Sequence, residues 1–80
     1  MIRGRVTNRV WSSKHIDSLP SGGLLEVELD GGTSLIAFDP LGCAEGEQVL
    51  ITQGSVAAAY FNQLKAPIDA LIIGSIDESL

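Results

Sequence analysis

Phe38-Asp39-Pro40-Leu41-Gly42-Cys43-Ala44-Glu45-Gly46-Glu47-Gln48-Val49-Leu50-Ile51-Thr52-Gln53-Gly54-Ser55 holds the punctuation that decides how this 80-residue chain folds. Asp39-Pro40 ends an apolar strand, because proline has no N–H to give to a sheet ladder, and Gly42 and Gly46 flank the acidic loop that follows. Gln48 to Thr52 reads as the next strand. Gly54-Ser55 then breaks the chain into an alanine-rich helix, Val56 to Leu64, with Ser55 placed as its N-cap and Ala66-Pro67 as its stop. No reaction centre is visible in this stretch. Asp39 before proline is a turn initiator, and Cys43 reads as a buried structural thiol, since the neighbouring carboxylate of Glu45 raises a thiol pKa rather than lowering it.

Upstream, Ile2, Gly4 and Val6 alternate with Arg3, Arg5 and Thr7, the period-two pattern of a half-buried strand running to Val10. A polar, turn-rich loop over residues 12–23 follows, with Leu19 as the residue that pins it to the core. Leu25, Val27 and Leu29 alternate with Glu26, Glu28 and Asp30, and Asp30-Gly31-Gly32-Thr33 turns the chain into a hairpin with Ser34 to Phe38. Downstream, Ile68 to Ile76 is almost continuously apolar, as a strand covered on both faces would be. Five strands, with one short helix between the fourth and fifth, predict a mainly β fold: a compact, partly open barrel like the oligonucleotide-binding type, forming one domain over residues 1–80.

A single core of this size supplies only about 3 to 5 kcal/mol, so an additional source of stability is expected. Cys43, the single cysteine, forms no internal disulfide, and with His15 as the sole histidine there is no ligand set for a structural zinc. Self-association remains. An apolar content of 45% agrees with it, and the two-sided Ile68 to Ile76 strand is the natural place for a subunit contact.

Net charge is −5, from five Lys/Arg against ten Asp/Glu, so nucleic acid is not expected as a partner. A basic first strand (Arg3, Arg5, Arg9) on a barrel keeps a small oligonucleotide-binding domain as the alternative function, against which stand the acidic balance and the scattering of Trp11, Phe38, Tyr60 and Phe61. No stretch of about 18 apolar residues offers a membrane span, and no apolar segment of a secretory leader follows Met1; a cytoplasmic protein is expected. Catalysis would need His15 anchored to a second group, and Asp17 in the same loop does not anchor it. Asp39, Glu45 and Glu47 lack the dense oxygen pattern of a calcium loop, and the glycine pairs lack the lysine of a phosphate loop. No enzyme activity, cofactor or metal is expected.

Taken together, Phe38-Asp39-Pro40-Leu41-Gly42-Cys43, Glu45-Gly46 before an apolar strand, Gly54-Ser55 before a helix, and Pro67-Ile68-Asp69 through Ile76-Asp77 resemble the CcmL/EutN family of bacterial microcompartment vertex proteins. The resemblance spans nearly the whole chain, and the Asp-Pro-Leu-Gly loop looks most like the α-type carboxysome peptides. Ala58 stands where the family often has arginine in Gly-Ser-x-Ala-Arg, so no role of that arginine carries over. The resemblance implies a cyclic homopentamer that caps the vertices of a microcompartment shell of hexameric tiles in the cytoplasm, with no catalysis and no cofactor. A ring contact is heterologous. The expected faces are the helix start, Gly54, Ser55, Ala57 and Ala58, and the last strand, Ile68, Leu71, Ile72, Ile73 and Ile76, so that Ile72→Asp would break the ring. Ser13-Lys14 matches the family's Ser/Thr-basic pair and is the expected contact with the surrounding shell.

Overall fold

A computed structural model of the chain describes residues 1–11, 13–14, 16–17, 19, 23–60 and 68–76. Five strands and one helix follow in order: β1 (Ile2–Arg9), β2 (Leu24–Leu29), β3 (Ser34–Phe38), β4 (Gln48–Gln53), α1 (Ser55–Tyr60) and β5 (Ala70–Ile76). They form a barrel in the order β1-β2-β3-β5-β4. β1 pairs antiparallel with both β2 and β4, and β4 with β5. The partial opening expected from the sequence is corrected, because the barrel closes: β3 and β5 meet in parallel at one register pair, Phe38 opposite Leu71. Parallel strands need a long crossover rather than a hairpin, and β3 is joined to β5 by residues 39–69, which include β4 and α1.

Hairpin chemistry accounts for the first half of the barrel. Gly32 takes a φ of 91°, its N–H bonds to the Leu29 carbonyl at 2.9 Å, and Leu29 N–H bonds to Thr33 O at 2.7 Å. β2 and β3 then pair from Glu28–Ser34 to Leu24–Phe38. Opposite β2, the register of β1 shifts between Val6 and Asn8. Glu26 fastens this bulge, its Oε1 accepting from Thr7 Oγ1 and Asn8 Nδ2, each at 3.1 Å. A bulge of this kind bends the strand and lets a small sheet close on itself.

Loop 39–47 is built on Asp39, whose side chain is buried. Oδ1 accepts the Leu41 N–H at 2.9 Å and Oδ2 the Cys43 N–H at 2.6 Å, so the carboxylate satisfies two loop amides as an Asx turn does. The far end of the loop is laced to β1 through Val6 N–H to Glu47 O at 3.0 Å and Gly46 N–H to Val6 O at 2.8 Å. These bonds deliver Cys43 into the barrel core beside Val6, Leu25, Val27, Val49, Ile51 and Ile72.

A second, smaller cluster joins Leu24, Ala57, Ile68 and Leu71, with Val10, Leu19 and Phe38 packed against it. Leu19 thus pins its loop as the sequence suggests. The helix start differs from expectation: the Gly54 carbonyl accepts the Ala58 N–H at 2.9 Å, which makes Gly54 the cap and Ser55 the first helical residue. Gly54 holds this place because its φ is 73° and its N–H is tied to Asp69 O at 2.9 Å. The expected continuation of the helix to Leu64, like His15 and Pro67, lies outside the described residues.

Candidate functional site

The described residues form no cavity, and no group of three metal-ligating side chains occurs among them. Among them, too, no helix is long and apolar enough to cross a membrane. What the protein offers is surface. Its outer faces follow from register, since paired residues share a side of the sheet.

Val49 and Ile51 point into the barrel and are fully buried, so Gln48, Leu50 and Thr52 point outward. Two rows therefore cross the outside of β1, β4 and β5: Arg3, Leu50 and Gly74 in one, Arg5, Gln48 and Ile76 in the next. The β4–β5 register shifts between Leu50 and Ile51, leaving Ile73 as an extra residue on β5 with 41% of its surface exposed. Leu50, Ile73 and Ile76 thus make an apolar face around a glycine. The charges beside it are engaged: Arg3 Nε lies 3.8 Å from Asp30 Oδ2, and Arg5 Nη1 donates to Gly46 O at 3.1 Å. Other exposed apolar groups among the described residues lie apart in the sequence, at Met1, Trp11, Ile16, Ile36 and Leu41.

Of the expected contact residues, Ile72 is a correction. It has no exposed surface and sits in the main core, so it has nothing to present to a neighbour. Ala57, Leu71 and Ile68 are also buried, gathered into the second cluster of the protomer. The reason is that closure of the barrel and the return of α1 already cover both faces of β5 as far as Ile72. Gly54, Ser55, Ala58 and Ile73 are exposed and Ile76 is half-buried. Ser13 and Lys14 are exposed in the loop after β1. Leu50 and Gly74 were absent from the expectation. A glycine inside a β pattern was the available signal for the second.

Cys43 is buried, and its thiol is pushed up from 9.0 to about 12, first by burial, then by a hydrogen bond with Glu47 and by the charge of Asp39. It is no nucleophile at neutral pH. A thiol reagent at pH 8 is expected to leave the folded protein unlabelled and to react fully in denaturant; rapid labelling under native conditions would contradict this. Because the unfolded thiol ionises first, its contribution to stability is complete below pH 9 and is lost as pH rises toward 12. The stability difference between wild type and Cys43→Ala should therefore shift against the wild type across that range.

The described residues thus form a small closed β-barrel whose buried side-chain polar atoms are all hydrogen-bonded, with Ile73 exposed on an apolar outer face. The family model described as "Ethanolamine utilisation protein EutN/carboxysome" matches residues 1–77, and the chain belongs to that family. It is similar to the carboxysome shell vertex protein CsoS4A of Hydrogenovibrio crunogenus, at 35% identity over 92% of this chain and 83% of that protein. Similarity to the bacterial microcompartment shell vertex protein EutN of Salmonella typhimurium is 30%, over 91% of this chain and 80% of that one. Among solved structures, a pentameric shell protein from the RMM microcompartment superposes with a TM-score of 0.88 at 54% identity, covering 100% of this chain and 94% of that one.

Proposed function

We propose that this protein is a structural, non-enzymatic vertex cap of a bacterial microcompartment shell, in which five copies form a closed ring that meets hexameric shell proteins. The observation that carries the reading is the match over residues 1–77 to a family whose similar members include a pentameric shell protein and shell vertex proteins. The physical requirement is geometric. A layer of hexagonal tiles closes only where five-fold units interrupt it, and such a unit needs firm subunit contacts rather than a catalytic site. A stable ring calls for contacts of on the order of 1,000 Å² each. The apolar 73–76 half of β5 supports one such face, and the exposed helix start at Gly54, Ser55 and Ala58 supports another. The exposure of Ser13 and Lys14 after β1 supports assigning them to the contact with the surrounding shell.

The type of compartment divides between two readings. The 54% identity to the RMM shell protein favours a compartment of that type, and the similarity to CsoS4A, with the Asp39-Pro40-Leu41-Gly42 loop, favours a carboxysome that would fix carbon dioxide. Native mass spectrometry at micromolar concentration is expected to show a pentamer, and a stable monomer or dimer would overturn the ring. The cargo enzymes that co-purify with shells carrying a tagged copy of this chain distinguish the two compartments.

A further inference from the structure

β5 contains a glycine that the protomer does not need. Gly4, the other glycine within a strand, is explained from inside, because a Cβ there would lie 2.5 Å from Val27 Cγ1. Gly74 is not. Its φ is not positive, and a Cβ there would meet only Leu50 Cδ1, at an ordinary 3.8 Å. A strand glycine loses chain entropy and packs nothing, so one left unexplained within the molecule marks a place where another backbone comes close.

Two independent features of the same place agree. Gly74 lies at the centre of the apolar outer face of Leu50, Ile73 and Ile76. In addition, β3 reaches β5 only at Phe38–Leu71, so among the described residues no strand of the protomer lies along the second edge of β5 from Ile73 to Ile76. Residues 73–76 themselves include no lysine, no proline and no charged side chain, the usual protections of an open edge, and Ser75 Oγ donates to Glu47 Oε2 at 3.0 Å. Surfaces left so are covered in the working assembly.

We propose that the next copy of this chain in the ring seats its backbone over Gly74, with Leu50, Ile73 and Ile76 as the apolar wall of the contact. The inference rests on the pentamer reading, and that reading supplies the occupant. The contact is heterologous, so each protomer offers this face once and meets it with a different surface on its other side. A side chain at position 74 would hold the two backbones apart while leaving the protomer intact.

The test compares wild type, Gly74→Leu and Ile73→Lys by native mass spectrometry across a dilution series, with circular dichroism to confirm the β-barrel. Both variants are expected to keep the barrel spectrum and to need roughly tenfold or more higher concentration to form the ring. Folded variants that assemble at the wild-type concentration overturn the inference and leave the pentamer reading standing. A wild type that never assembles overturns both. Should either variant fail to fold, hydroxyl-radical footprinting of the wild type decides: Leu50, Ile73 and Ile76 gain protection on assembly, and unchanged oxidation at these three residues overturns the assignment.

Discussion

Ile72→Asp is expected to leave no folded protomer at 25 °C, rather than a folded protomer that cannot assemble. Ile72 faces the barrel interior opposite Ile51, and neither residue has any exposed surface. A carboxylate placed there would meet Val6, Leu25, Val27 and Val49, none of which can pair with it. An uncompensated buried polar group alone costs about 2 to 7 kcal/mol, and a charge costs more unless it takes up a proton. Against a net stability of about 3 to 5 kcal/mol for a domain of this size, that penalty exceeds what the fold holds in reserve. Ile72→Val, which removes one methylene, should cost only about 0.5 to 1.5 kcal/mol and keep the fold. Circular dichroism of the two variants separates the outcomes, and a β-rich, cooperatively melting Ile72→Asp monomer would show that the residue faces outward.

The difference between Ile72 and Ile73 marks where sequence reading reaches its limit. Alternation in β1 and β2, the Asp30-Gly31-Gly32-Thr33 turn and the Asp39-Pro40 stop are local signals, and each corresponds to a feature of the barrel. The Ile68 to Ile76 run carries no alternation, so its two faces are indistinguishable by pattern alone. They are told apart by a bulge at Ile73 and by where β3 leaves β5, both set by tertiary pairing. Similarly, the cap of α1 moved from Ser55 to Gly54 because of a hydrogen bond to Asp69, fifteen positions along the chain by number, which no local propensity encodes. The site was legible as a strand, but the surface it presents was not.

Gly4 supplies the sharpest contrast with that surface. It stands on β1 between Leu29 of β2 and Val49 of β4, the strand through which both halves of the barrel are joined. A methyl group at this position would lie 2.5 Å from Val27 Cγ1, 2.8 Å from the Glu28 carbonyl oxygen and 3.2 Å from Leu29 Cδ2. Val27 is itself fully buried and has no room to turn away, and the Glu28 oxygen belongs to the backbone. The strand must then move, and moving β1 loosens both of its ladders. Overpacking of this kind costs about 1 to 3 kcal/mol, so Gly4→Ala should lower the melting temperature by roughly 5 to 20 °C. Gly74→Ala is the same chemical change on another strand, where the added group finds open space beside Leu50. Measured in dilute solution, where protomers are separate and ring formation adds nothing to the apparent stability, Gly74→Ala should melt at or above the wild-type temperature. Equal losses from the two substitutions would mean that Gly74 is held by the protomer after all. Unequal losses, with Gly4 alone essential in the isolated chain, would assign one glycine to the closure of the barrel and release the other for contact with a neighbour.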